Sequence, residues 1–244
     1  MSSPYDSSQS KSFSLEIKDV SFSYPTRQKR QNFSLMVEHF AASEKCTALM
    51  GKNGSGKTTL GKLAAGILRP DSGCVLYNGE NIANWKLGQI GKQVGYLFQE
   101  PSRQLFTPRP IEEIALPLKL RDVPHDEAEE RALLLLRRFE LEHLKDSVTF
   151  TLSRGEKQRL AIAAAMVSEP QFFVLDEPTT GLDKRRCGIL AETLHGLMES
   201  GVGILLISHD KEFVSEMRAD IRIMEKGSIN GSDTHVEHFF EKKS

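Results

Sequence analysis

The sequence predicts an α/β domain built around a mostly parallel sheet, and three features carry that expectation. Short apolar runs alternate with stretches of helical spacing along most of the chain. One run, Cys46–Met50, leads into Gly51-Lys-Asn-Gly-Ser-Gly-Lys-Thr-Thr59, and a helical stretch follows from Leu60 to Leu68. Another run, Phe172–Leu175, ends in two adjacent carboxylates, Asp176 and Glu177. Ligands of parallel sheets sit at the C-terminal ends of the strands. Gln99, Asp176, Glu177 and His209 all fall at such ends, so the fold is expected to gather them beside the glycine-rich turn.

Taken in order, residues 1–12 are polar and read as a disordered leader. Phe13 to Tyr24 alternates apolar and polar residues as a strand does, with a break near Asp19. Pro25 and the basic stretch behind it form a turn, and Phe33 to Phe40 alternates again, ready to pair as a hairpin. Pro70–Gly73 is a turn, Cys74–Tyr77 a strand and Asn78-Gly79 a tight turn. Val94–Phe98 is a buried strand ending at Gln99. The segment Glu100–Pro110 carries three prolines and reads as irregular and exposed. Helical spacing runs from Asp126 to about Leu144, with Asp126 and Glu129 as a capping box, Glu127 and Arg131 as a pair, and Leu133–Leu136 as core. Lys157–Val167 is an alanine-rich helix stopped by Pro170. Helix (Gly188–Ser200), strand (Gly203–Ile207), helix (Lys211–Met217) and strand (Ile221–Glu225) complete the pattern, followed by a turn and a charged tail over 232–244.

Bulk properties exclude several classes. The 244 residues, 39% of them hydrophobic, suffice for a sizeable core. A net charge of -1 with no long basic run does not call for a nucleic-acid surface. Apolar runs such as Ala161–Val167 are far too short to cross a bilayer, and the N-terminus shows no export signal. Cys46, Cys74 and Cys187 have no metal-binding spacing and read as free thiols.

Strand, glycine-rich turn, lysine, hydroxyl and helix in that order specify a phosphate-binding loop. Gly51, Gly54 and Gly56 permit the backbone angles that turn successive N–H groups inward, with Asn53 and Ser55 between them. The helix that follows adds its positive end. Lys57 then reaches the outer phosphates of a nucleotide, Thr58 offers a hydroxyl to Mg2+, and Thr59 completes the loop. Asp176 is the second metal-side group. Glu177 is left to orient the attacking water as a general base, provided a local turn brings it back from the opposite face of the strand. His209 reads either as structural or as a contact to the γ-phosphate or the water. Gln99 could touch the metal or the water, and Tyr24 is equally an edge-strand aromatic or an adenine platform. No guanine-reading Asn-Lys-x-Asp pattern occurs, which favours ATP with Mg2+.

At this point the motif set resembles the ATP-binding-cassette (ABC) ATPases over about Phe13 to Gly231, a P-loop fold with a RecA-like sheet. The likeness rests on Tyr24 as the adenine-stacking aromatic, GKNGSGKTT as Walker A and Gln99 as the Q-loop glutamine. It continues through Leu152-Ser-Arg-Gly-Glu-Lys-Gln-Arg159 as the signature, FFVLDE as Walker B, Thr180–Asp183 as the D-loop and His209 as the switch histidine. The resemblance implies one ABC ATPase domain over 13–231, with an N-terminal antiparallel β-subdomain and a helical subdomain at about 100–165. It implies that Ser153 and Gly155 bind the γ-phosphate of ATP held by a second ATPase, identical or paralogous. Arg154 replaces the usual first glycine and Glu156 the glutamine, and Arg154 either adds charge to that site or distorts it. Pro101–Phe106 resembles the short helix of energy-coupling-factor (ECF) transporter ATPases. That implies a transmembrane coupling protein contacted near Gln104 and, indirectly, a substrate-binding membrane subunit for a vitamin or a metal ion such as cobalt or nickel. The cytoplasmic chain would bind peripherally to the inner face of the membrane and touch no nucleic acid. A conventional ABC importer subunit and a non-transport ABC ATPase are the alternatives. The 17 residues after Gly227 leave little room for a further dimerisation domain.

Overall fold

The computed structural model describes residues 13–25, 34–42 and 45–232. The expected leader at 1–12, the basic turn before Phe33 and the tail beyond 232 lie outside the described residues.

The first two strands, β1 (Leu15–Ser23) and β2 (Ser34–Ala42), pair antiparallel from Leu15↔Ala42 to Ser23↔Ser34. Leu15, Ile17, Val20 and Phe22 are buried, so the alternation slips by one residue between 17 and 20. The slip is the expected break: Asp19 turns left-handed (φ 51°), and the register against β4 (Ser72–Tyr77) shifts at that point. Gly73 of β4 makes the close approach possible, since a Cβ there would stand 2.3 Å from the Asp19 carbonyl oxygen. With β5 (Glu80–Asn81) these strands form a four-stranded sheet in the order β2-β1-β4-β5.

A six-stranded sheet forms the second layer. It contains β3 (Cys46–Met50), β6 (Val94–Leu97), β7 (Phe172–Asp176), β8 (Gly203–Ile207), β9 (Asp220–Glu225) and β10 (Ser228–Ser232), in the order β10-β9-β3-β8-β7-β6. Every neighbouring pair is parallel except β9–β10. Each residue of β3, β7 and β8 is buried, as expected of a parallel sheet covered on both faces. Alternate residues serve different layers. Phe172, Val174, Leu205 and Ile207 pack with α1 (Lys57–Ala64) and the four-stranded sheet. Phe173, Leu175, Ile204 and Leu206 pack instead with α3 (Pro110–Lys119), α4 (His125–Arg138), α5 (Arg154–Met166), α6 (Lys184–Glu199) and α7 (Lys211–Glu216). Each such side chain contributes roughly 1.5–3 kcal/mol over its exposed state.

The structure corrects several expectations. The proline-rich segment after Gln99 is not wholly irregular: Pro101–Arg103 is a helical turn, and Pro101 and Leu105 are buried. Helix α3, which the sequence reading missed, begins at Pro110, where a missing N–H has no partner to lose. It runs through Pro117 because Ile111, Ile114, Ala115 and Leu118 form one buried stripe. Helix α4 stops at Arg138, and left-handed Glu140 (φ 56°) marks the break before Leu144. Its start has Pro124 as cap with no side-chain bond, so the Asp126–Glu129 capping box does not form. The Glu127–Arg131 pair does form, at 2.7 Å. Of the leucine run, Leu136 is buried and Leu134 exposed. Helix α2 (Leu87–Gln93) and strand β10 were also missed.

Candidate nucleotide site

The site begins where β3 ends. Gly51, Gly54 and Gly56 have φ of 149°, 78° and 112°, a loop that side chains at those positions would strain. At Gly51 the constraint is also steric, because a Cβ would lie 2.2 Å from the Met224 carbonyl oxygen. Gly56 caps α1 with no side-chain bond, and the first turn holds no acidic residue. The helix therefore keeps its positive end for an anion. Lys57, buried at the first position of α1, donates from Nζ to the carbonyls of Gly51 (2.8 Å) and Lys52 (3.1 Å). Burial pushes its pKa down, and the charges of Glu177 and Asp176 oppose that shift.

Asp176 closes β7 and is buried. Burial pushes its pKa up, and hydrogen bonds from the Thr58 and Tyr96 hydroxyls hold it back. Tyr96 donates to Oδ2 at 3.3 Å, while Oδ1 is buried without a partner. Glu177 follows in the left-handed conformation (φ 55°), with its N–H still bonded to the Ile207 carbonyl at 2.8 Å. That is the local turn the sequence argument required: the ladder ends in register while the side chain swings back toward the loop. His209, exposed at the end of β8, brings Nδ1 to 2.8 Å from Glu177 Oε2.

These groups share one cavity of about 380 Å3. Asn53, Gly54, Gly56, Lys57, Thr58 and Thr59 line one side of it, and Gln99, Asp176 and Glu177 the other. Gly51 and the buried Ser55 shape the loop from behind, and His209 reaches the site through Glu177. Tyr24 is partly exposed, with its hydroxyl 3.3 Å from Thr59 Oγ1, and does not line the cavity. Mg2+ takes hard oxygen donors and few carboxylates. The Thr58 hydroxyl, the Gln99 amide and the unpartnered Asp176 Oδ1 fit that preference.

Ser153 and Gly155 are not among the cavity residues. Ser153 caps α5: its hydroxyl donates to Glu156 Oε2 at 2.7 Å, and the same oxygen accepts its N–H at 2.8 Å. The helix start is regular with Arg154 at its first position, and a Cβ on Gly181 would lie 3.6 Å from the Arg154 stem. Gly155 sits against the 180–183 turn, where a Cβ would meet the Gly181 carbonyl oxygen at 2.8 Å. Gln104 faces inward, its amide spanning the Tyr96 carbonyl (3.1 Å) and the Phe98 N–H (3.2 Å), while Phe106 beside it is exposed. Sequence reasoning missed Tyr96 and Ile207, whose roles depend on strand register alone.

Comparison with known proteins agrees with this geometry. The family model described as ABC transporter matches residues 35–180. A protein of Pyrococcus abyssi named as an ABC transporter ATP-binding protein is 36% identical over 227 residues, covering 93% of this chain and 85% of the relative. The energy-coupling factor transporter ATP-binding protein EcfA of Methanothermobacter thermautotrophicus is 35% identical, covering 92% and 72%. Some curated relatives are longer, and the chain spans only 30% to 40% of their length. Among solved structures, CbiO1 of Clostridium perfringens, part of the ABC transporter complex CbiONQ, superposes with a TM-score of 0.77 at 30% identity, covering 94% of this chain and 91% of that one. The cassette MJ0796, a dimer in a post-hydrolysis state with ADP and Pi, shares the fold with a TM-score of 0.79 at 22% identity, covering 90% and 98%. The chain belongs to the ABC transporter family, as one of its ATP-binding, ATP-hydrolysing cassettes.

Proposed function

We propose that this cassette is the motor of an ECF-type importer for a vitamin or a transition-metal ion. It works as an ATP-sandwiched pair with a second cassette, on the inner face of the membrane. The observation that carries the pairing is the separation of the phosphate-handling groups within one chain. Asn53, Gly54 and residues 56–59 of the loop share a cavity with Asp176 and Glu177, whereas Ser153 and Gly155 stand outside it. A second chain's signature helix would complete each site, which links assembly to ATP binding. The ECF assignment is supported by the likeness to EcfA and CbiO1. No helix among the described residues is long and apolar enough to cross a membrane.

In this reading Lys57 and the loop amides neutralise the β- and γ-phosphates. Tyr24 stacks on the adenine. Thr58, Gln99 and Asp176 hold Mg2+, which when bound offsets phosphate charge. Glu177 takes a proton from the attacking water, and His209, 2.8 Å from its carboxylate, orients it. The unit is a single domain over 13–231, with its helical subdomain at about 100–165. The 104–106 segment presents Phe106 to the coupling protein. A conventional ABC importer remains the second reading, because the Gln104 side chain is spent within the fold.

The test is affinity isolation of the full chain from its native membranes. A transmembrane coupling protein recovered with a small substrate-binding membrane subunit supports the ECF reading. A solute-binding importer complex supports the second reading. Recovery of ribosomes, DNA or soluble proteins alone would overturn the transport role.

A further inference from the structure

We propose that Tyr96 is a positioning residue: its buried hydroxyl fixes one oxygen of Asp176 so that the other faces the Mg2+ of the bound nucleotide. The inference rests on the ATPase reading of the site. Oδ2 is taken by Tyr96 at 3.3 Å, whereas Oδ1 is buried with no hydrogen-bond partner. The terminal torsion of an aspartate is soft and nearly two-fold, so an unheld carboxylate could present either oxygen. The bond from Tyr96 to one of them limits that freedom; the Thr58 hydroxyl also bonds the carboxylate, but it is itself a proposed Mg2+ ligand.

The sheet delivers the hydroxyl. In the β6–β7 register Tyr96 lies opposite Val174, two residues before Asp176 and on the same face. Its ring is buried beneath α1: a Cβ on Gly61 would stand 3.2 Å from Val174 Cγ1 and 3.7 Å from Tyr96 Cε2. The Phe98 ring packs across it at 4.8 Å. The backbone on either side is clamped by Gln104, through the Tyr96 carbonyl and the Phe98 N–H. Gln99 follows directly. One phenol thus ties Asp176 to the strand that leads into Gln99, so the two proposed metal-side groups hold a fixed relation.

Outer-shell bonds of this kind change metal affinity by about 10- to 100-fold, and a single long bond belongs at or below the lower end. Tyr96→Phe keeps the ring and removes only the oxygen. The readout is equilibrium binding of a fluorescent ATP analogue to the full chain, titrated with Mg2+ and without turnover. The Mg2+ concentration giving half-maximal tightening is expected to rise about three- to tenfold. Affinity without Mg2+ and the ligand-free melting temperature should not move. An unchanged Mg2+ midpoint overturns the inference and leaves the ATPase reading intact, as does an equal loss of affinity with and without Mg2+. A parent chain whose ATP binding ignores Mg2+ overturns both. Asp176→Asn supplies the second arm. Tyr96→Phe should add no further Mg2+ shift in that background, and a full additive shift would contradict the proposed route through Asp176.

Discussion

At the start of α1 a glycine caps the helix with no side chain, whereas at the start of α5 Ser153 and Glu156 close a reciprocal capping box. Both helix starts are proposed to meet phosphate, yet they are built differently. The α1 end sits in a loop of left-handed glycines, with a buried lysine and a buried aspartate whose Oδ1 lacks a partner. Such groups are costly to keep without a ligand and are therefore poised for one. The α5 end is already satisfied by its own residues. The difference teaches that the first face is a binding site within one chain. The second is a stable surface, which we propose gains its role when another chain's nucleotide is set against it.

The largest effect is expected inside the first face. Glu177→Gln should still bind MgATP but lose hydrolysis by about 10²–10⁴-fold, the usual worth of a general base. Phosphate release measured beside equilibrium ATP binding checks this, and full turnover would remove Glu177 from its role. Gly51→Ala drives a methyl group to 2.2 Å from the Met224 carbonyl oxygen, so the loop must deform. ATP binding should be lost, and stability should fall by about 1–3 kcal/mol on thermal unfolding. In the second face, Gly155→Ala meets the Gly181 carbonyl oxygen at 2.8 Å, a milder conflict. It should abolish most ATPase activity while leaving ATP binding by the single chain intact. The smallest effect is at the cap, where Ser153→Ala should cost about 1 kcal/mol.

The cap also predicts a pH dependence. Hydrogen bonds from the Ser153 hydroxyl and N–H hold the Glu156 pKa below the ordinary glutamate value. A depressed carboxylate stabilises the fold above its unfolded pKa, and that stability is lost as pH falls through the folded one. The difference in melting temperature between the parent and Glu156→Gln should therefore shrink on acidification below the glutamate range. A difference independent of pH would contradict the capping account.

Much of the fold was legible because its signals are local. Phe172–Leu175 and Gly203–Ile207 are apolar throughout and Cys46–Met50 is so but for Thr47, as suits doubly covered strands. The loop 51–59 announced itself by its glycine spacing. Even the turn at Glu177 could be anticipated, because strand parity sends residues 176 and 177 to opposite faces. Proline was the misleading signal. Three prolines argued for an irregular, exposed segment over 100–110, yet Pro110 begins α3 and the buried stripe from Ile111 to Leu118 carries the helix through Pro117. The Asp126 capping box failed because the helix starts at His125, which places Asp126 inside the first turn. Tyr96 had no signal of its own, since its partner lies 80 residues away across a strand pair. The inward turn of Gln104 was equally hidden, for it depends on where β6 ends.

The most direct test of the two-face account compares Lys57→Ala with Gly155→Ala. Both are assayed for MgATP binding at protein concentrations too low for assembly, and then for turnover when concentrated. The account predicts that Lys57→Ala weakens binding by about 10- to 100-fold, the worth of a charged hydrogen-bonding group. Gly155→Ala should bind like the parent and fail only in turnover. A Gly155→Ala chain that loses binding as severely as Lys57→Ala would contradict the division of labour between the two helix starts.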